Sequence, residues 1–510
     1  MKKIMAIAAM AAMILPAAAQ ETYESANTTE QDLNGTARYI GMGGAMEALG
    51  ADVSTITSNP AGVAFFRKAQ ISMTAGFNNI EGNSVLGAKK VRPSFDQIGV
   101  VIPVDNDGLS NYNIGFNYHK SRNFGGLTDV AGSLDGNASQ NKLSFNKWNN
   151  GLGDKGMNTF NQIDFLYDET FFGGKTNPLQ DDFLNADKYE MRRNTKGYEG
   201  TFDFNLSANF NSRIYLGLTV GLHALSYKSE SEYYESLSNN MGSVTVNDYR
   251  EISGSGVDVK FGAIFRPVED SPFRLGMYVN SPIFYELSTD NSTMLTQTTG
   301  FGIPSKHSTE SYDFHLNTPW KFGLSLGHTI GNVFAFGATY EYSDYTNLDN
   351  RVIDGGYYDY DGYWQDESSS DRQMNRHTSR TLKGVSTFKI GGEYKPAQNV
   401  SVRLGYNYVS PKYCLDGYKD GTVDSYGSYY ASQTDYTNWK ATNRFTCGLG
   451  LAVDNHFSID LAYQYSMRDG EFFPFMSYEG DKNPSFDNVA SKVNVSDNRH
   501  QFAATLSYRF

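Results

Sequence analysis

From about residue 70 onward the chain repeats one arrangement: apolar residues alternate one for one with small or polar ones, in stretches joined by connections that are short and long in turn. In "SRIYLGLTVGLHALSYK" the even positions carry Ile214, Leu216, Leu218, Val220, Leu222 and Ala224, and the odd ones Tyr215, Gly217, Thr219, Gly221 and His223. A period of two belongs to a β-strand with two unlike faces. "VDVKFGAIF" and "VSVRLGYNY" repeat it and put Asp258, Lys260 and Arg403 on the polar face. Such segments begin near Ile71, Phe95, Tyr112, Phe202, Arg213, Val257, Phe273, Lys321, Val333, Thr387, Val400, Arg444, Phe457 and Gln501, which makes fourteen. The links "PVDNDGLSN", "NS", "PVEDSP", "TIGN", "KPAQN" and "DNH" are short, while those near 120–200, 228–255, 281–320, 343–386, 409–443 and 466–499 are long. An even strand count with every long loop at one end is the pattern of an antiparallel transmembrane β-barrel. A soluble sandwich has no reason to segregate its loops.

Composition fits that reading. The chain has 50 Gly, 35 Tyr and 33 Phe with a mean hydropathy of -0.48. Only alternate residues of a barrel strand face lipid, so about 70 apolar side chains suffice for ~14 strands of ~10 residues. The opening "MKKIMAIAAMAAMILPAAAQ" reads as a cleavable export signal over residues 1–19. No later run approaches the ~18 apolar residues of a spanning helix. Without Lys2 and Lys3, 41 basic residues face 56 acidic ones, a net charge of -15. That balance disfavours nucleic acid as a partner. Cys414 and Cys447 are too few for a disulfide framework and too far apart in the hairpin register to bridge, so two free thiols are expected.

Residues 20–69 lack the alternation and are expected to form a separate segment ahead of the barrel, residues 70–510. In "TSNPAG" Asn59 can cap, Pro60 suits a first helical position and Gly62 permits a tight exit. A dinucleotide-binding G-x-G-x-x-G is excluded, because Met46 stands where its last glycine belongs. A barrel of this size leaks unless its lumen is filled, and the N-terminal segment is the natural plug.

"ARYIGMGGAMEALGADVSTITSNPAGVAF" resembles the N-terminal hatch of the FadL/TodX family of outer-membrane transporters for hydrophobic compounds, with its G-M-G-G-A and N-P-A-G elements. "GSGVDVKFGAIFRPVEDSPFRLGMYVNSP", "TPWKFGLSLGH" and the final "LSYRF" extend the resemblance over nearly the whole chain. It implies an all-β, fourteen-stranded barrel plugged by a hatch in which Gly41, Gly43, Gly44, Asn59, Pro60, Ala61 and Gly62 shape the plug. It also implies passive uptake of amphipathic or hydrophobic small molecules, most simply long-chain fatty acids. Lateral exit in that family uses a kinked third strand, for which Gly115 is the candidate here.

The chain ends with Phe502, Ala504, Leu506, Tyr508 and Phe510 on one face, and Tyr508 and Phe510 match a C-terminal signal for insertion by the barrel-assembly machinery. The expected location is the outer membrane of a Gram-negative bacterium, in contact with its lipid and lipopolysaccharide. No cofactor, resident metal or catalytic residue is expected: the eight histidines show no metal-ligand spacing and no serine sits in a nucleophile elbow. The acidic loop "DGGYYDYDGYWQDESSSD" reads first as a solvated surface. Two other readings stay open: a partner-binding component of a secretion or surface-assembly system, and a carrier of another apolar cargo such as an aromatic hydrocarbon or haem.

Overall fold

The computed structural model describes residues 20–106, 109–149, 183–299, 305–360, 362–429, 433–478 and 487–510. The proposed signal over residues 1–19 lies outside them. The wall strands are β1 (Gln70–Ile80), β2 (Val91–Asn106), β3 (Asn111–Asn123), β4 (Ala186–Phe210), β5 (Ile214–Leu237) and β6 (Ser243–Phe265). Next come β7 (Arg274–Asn280, resuming at Phe284–Gln297) and β8 (Ser305–Asn317, resuming at Lys321–Ile330). The circuit continues through β9 (Phe334–Asp344), β10 (Gly384–Ala397), β11 (Val400–Val409), β12 (Tyr436–Ala452), β13 (Phe457–Phe473) and β14 (Arg499–Arg509). Each pairs antiparallel with the next, and β14 returns to β1 in register from Arg509↔Gln70 to Arg499↔Ile80. The fourteen-stranded barrel is closed, so no strand edge faces lipid with unpaired backbone groups.

Period-two patterning sets the two surfaces. Ile71, Met73 and Phe77 of β1, Leu218, Val220 and Leu222 of β5, and Phe322, Leu324 and Leu326 of β8 are exposed on the outside. The alternate residues Thr219, Asp258, Lys260, Arg403, Asn407 and Gln501 are buried within. A charge at mid-depth on the lipid face costs about 2–4 kcal/mol, which fixes the register of each strand. Among the described residues no helix is long and apolar enough to cross a membrane; the strands do so.

The structure differs from the sequence reading in how far strands extend. β4 starts at Ala186, β6 at Ser243 and β12 at Tyr436, each well ahead of its lipid-facing pattern. Beyond the apolar band both faces are polar, so the alternation disappears while the hydrogen-bond ladder continues. β7 and β8 are also broken side by side, at 281–283 and 318–320. Pro282 and Pro319 each remove a ladder donor there. The breaks repair one another: Ile283 N donates to Thr318 Oγ1 (2.8 Å) and Thr318 N to Ile283 O (3.1 Å). Among the described residues four further strands lie outside the circuit: Gly126–Ala138 against β4, Val493–Ser496 against β13, and the hairpin Asp349–Tyr358 with Trp364–Ser370.

Cys447 is exposed on β12, and Cys414, in the loop after β11, is partly buried; both are free thiols. Unfolding without reductant is expected to yield two maleimide adducts per chain by mass spectrometry. A chain 2 Da light that takes none would show a disulfide instead.

Candidate functional site

Residues 20–69 lie inside the barrel, buried along most of their length. They form α1 (Thr22–Thr28), α2 (Ala37–Gly41) and the two 3₁₀ turns Val53–Thr57 and Pro60–Phe65. Side chains start each turn: Thr36 accepts from Tyr39 N, Asp52 from Ser54 N and Asn59 from Ala61 N, with Pro60 in first position. α2 ends where Gly43 (φ +63°) and Gly44 (φ +77°) turn left-handed and donate back to the carbonyls of Ile40 and Tyr39. The two glycine elements then meet. Asn59 Nδ2 donates to Glu47 O (3.1 Å) and Ala51 N to Gly62 O (3.0 Å).

The plug docks by backbone, and the wall makes room for it with glycine. Gly327 of β8, Gly337 of β9, Gly391 of β10 and Gly405 of β11 are direct cross-strand partners, forming one row across four strands. A Cβ on Gly337 would overlap Ala45 O, one on Gly391 Met42 O, and one on Gly405 the amide of Gly43. The pair Gly217 and Gly262 on β5 and β6 does the same for Pro60 and Asn59. Gly41 lies against Gly448 of β12, where a Cβ would stand 3.1 Å from that Cα. Gly115 pairs regularly with Val101 and Asn205, and a Cβ there would stand 3.1 Å from the Ile56 side chain. Its geometry is that of another plug contact, and the irregularity of β3 falls between Lys120 and Arg122.

Ionic anchors complete the docking, among them those of Glu47, Arg38 and Glu30. Glu47 is fully buried and accepts from Tyr39 Oη (2.9 Å), Lys389 Nζ (2.8 Å) and Thr339 Oγ1 (2.8 Å). Arg38 pairs with Glu393 (3.1 Å), which also holds Arg403 (2.6 Å). Glu30 sits among Arg122 (2.5 Å), Arg468 (2.9 Å) and Lys412 (3.1 Å), with a fifth of its side chain accessible. Burial alone would raise the Glu30 carboxyl, but Arg122, Arg468 and Lys412 outweigh it and hold the group well below its ordinary 4.5. A depressed carboxylate contributes stability above the unfolded value and loses it as pH falls through the folded one. Amide protection in residues 22–33, measured as exchange relative to the intrinsic rate at the same pH, is therefore expected to be high at neutral pH and to fall below about pH 4; in Glu30→Gln that pH step should vanish.

Open space is divided by the plug. An outer chamber of about 580 Å³ runs from the exposed β1–β2 loop at Gly82 and Asn83 down to Arg122, Arg468 and Arg499. Tyr23, Phe124, Tyr227, Tyr413, Tyr436 and Phe472 give it an aromatic wall. Arg468 stacks over Trp439 at 4.3 Å, and Arg122 over Phe124 at 5.7 Å. A central chamber of about 140 Å³ includes Glu30, Lys260, Lys321, Lys389, Lys412 and Arg444. A third, of about 330 Å³, lies at the short-turn end beneath Arg38 and Asp52. The resemblance implies an apolar pocket; the outer chamber has aromatic walls, whereas the centre is mainly charged. Among the described residues no group of three or more His, Cys, Asp or Glu is placed to hold a metal ion.

A closed antiparallel barrel with an apolar exterior, a polar interior and a backbone-docked plug defines a plugged transmembrane β-barrel of the Gram-negative outer membrane. Its fold is that of the FadL/TodX-type transporters. The structure is similar to a Pseudomonas aeruginosa FadL homologue (TM-score 0.51, 13% identity, 94% of this chain and 99% of that one). It is similar to the same extent of chain in the Ralstonia pickettii toluene transporter TbuX (0.51, 11%) and the CymD monoaromatic hydrocarbon channel (0.50, 12%). At such identities the likeness concerns fold alone. No family model matches the sequence, and no curated protein does.

Sequence reasoning missed the wall glycines and the three cations gathered around Glu30. The signal was present on the polar face of each strand, where Gly217, Gly262, Gly337, Gly391 and Gly405 recur among larger residues.

Proposed function

We propose that this chain is an outer-membrane channel that admits hydrophobic or amphipathic small molecules by passive diffusion, and that its best-fitting cargo is a long-chain fatty acid. The observation that carries this reading is the outer chamber. An aromatic wall suits an alkyl chain, and Arg122 and Arg468 at its floor suit a carboxylate. In this reading residues 1–19 are the export signal, 20–69 the plug and 70–510 the barrel. Gly41, Gly43, Gly44 and Asn59–Gly62 shape the plug, and no ATP or covalent step is involved. Tyr508 and Phe510 are the insertion signal read by the assembly machinery, and lipopolysaccharide surrounds the outer rim.

An aromatic hydrocarbon fits the chamber walls but would make no use of Arg122 and Arg468 beyond their pairing with Glu30. The test is displacement of a fluorescent fatty acid from the purified barrel by oleate, by oleyl alcohol and by toluene. Oleate is expected to compete at least about tenfold better than the alcohol, the value of a charge-assisted hydrogen bond. Equal competition by all three would remove the carboxylate from the reading and favour a hydrocarbon cargo.

A further inference from the structure

The connection between β9 and β10 carries a two-stranded hairpin whose part beyond Arg351 pairs with no other strand among the described residues. Only Asp349–Arg351 pair with the wall, opposite His315–Asn317 of β8. From Val352 the hairpin leaves the barrel, and among the described residues Val352–Tyr358 and Trp364–Ser369 pair with each other alone. Isolated two-stranded ribbons are marginal in water, and their free edges are templates for another strand.

Its side chains are those of a binding surface. Tyr357, Tyr358, Tyr360, Tyr363 and Trp364 are all exposed, Tyr360 fully and Trp364 by 53%. Acids at Asp354, Asp359, Asp366 and Glu367 rule out a resting place in lipid. Trp364 is held in place. Its ring lies over Gly356, where a Cβ would meet it at 2.4–2.5 Å if present, its Nε1 donates to Asp366 (2.7 Å), and Tyr358 stands 5.0 Å away at 74°. The held Trp364 ring, with Tyr358 at 74° to it and the Asp366 carboxylate beside it, forms the corner of a cation-binding cage. Pre-ordering of this kind lowers the entropy lost on binding. Arg351, the one base among the described hairpin residues, is already paired with Asp349 (2.9 Å).

We propose that this hairpin is a docking site for an extended, lysine- or arginine-bearing segment of a partner polypeptide at the cell surface. The segment adds as a third strand along Trp364–Ser370. Alternate residues of such a strand fall about 6.6–6.8 Å apart, so one cationic side chain lies over the Trp364 ring and the next reaches Asp366, which shares that face. Charge complementarity fixes the sign of the partner, and the free backbone edge fixes its extended form. The site is independent of the lumen and of the cargo proposed above.

The test uses the full chain in nanodiscs and a fluorescent octapeptide of alternating Lys and Thr. Controls are the same peptide with Glu for Lys, and one N-methylated at every residue so that it cannot form the ladder. The Lys peptide is expected to bind, the Glu peptide not to, and both N-methylation and the pair Tyr358→Ala with Trp364→Ala to weaken binding about tenfold or more. Asp366→Asn with Glu367→Gln should weaken it to a similar degree, with the heat-modifiable barrel unchanged in every variant. The proposal is overturned if the Lys peptide fails to bind, if the aromatic or N-methyl changes leave its affinity intact, or if the neutral sugar maltohexaose displaces it.

Discussion

Replacing Gly391 by valine is expected to expel the plug while leaving the barrel intact. The new Cβ would overlap Met42 O, which belongs to the plug backbone and has no side-chain torsion with which to move aside. Overpacking of this kind costs about 1–3 kcal/mol even where side chains can yield. The population with a displaced plug should therefore rise about tenfold to a hundredfold, and Gly337→Val, which strikes Ala45 O from the next strand, should do the same. Single-channel recordings should change from near silence to long openings, with greater sensitivity of cells to large antibiotics. The neighbouring residue supplies the control. A Cβ at Gly392 would have only Ala335 O nearby, at 3.9 Å, so Gly392→Val should conduct no more than the parent. If Gly392→Val behaves like Gly391→Val, backbone docking on the glycine row is not what holds the plug.

The second large effect belongs to the floor of the outer chamber. Removing Arg122 alone would leave Glu30 with fewer partners and would confuse folding with function. The informative variant is Glu30→Gln with Arg122→Met and Arg468→Met, which removes the anchor together with two of its three counter-charges, leaving Lys412 in place and Asp497 paired with Arg499. It is expected to weaken oleate binding about tenfold to a hundredfold, the loss of one or two charge-assisted hydrogen bonds. Toluene binding should stay within about twofold, because Tyr227, Tyr413 and Phe472 remain. A parallel loss for both ligands would mean that the chamber had collapsed and that the cations support its shape instead of a head group.

Much of the barrel was legible because lipid is an unforgiving solvent. It demands a period of two wherever a strand crosses, so β5 and β11 could be placed within a residue from Ile214 and Val400 alone. The upper parts of β4, β6 and β12 were illegible for the complementary reason: water accepts any polar residue on either face. The break in β8 had the same effect, leaving Lys321 as its apparent start although the strand begins at Ser305. In the plug, "TSNPAG" was legible as a capped turn because Asn59 and Pro60 act locally. The pairing of Asn59 with Glu47, and the row from Gly327 to Gly405, join residues distant in sequence. A single glycine on a strand does not say what approaches it.

The most direct measurement is uptake of radiolabelled oleate by cells whose own fatty-acid channel has been deleted and which express this chain in the outer membrane. Uptake well above the empty-vector level, saturable and competed by unlabelled oleate, is the result expected of a plugged channel for amphipaths. Background uptake by cells whose outer membranes hold the folded, heat-modifiable barrel would contradict it, and would leave the exposed hairpin as the better guide to what this protein does.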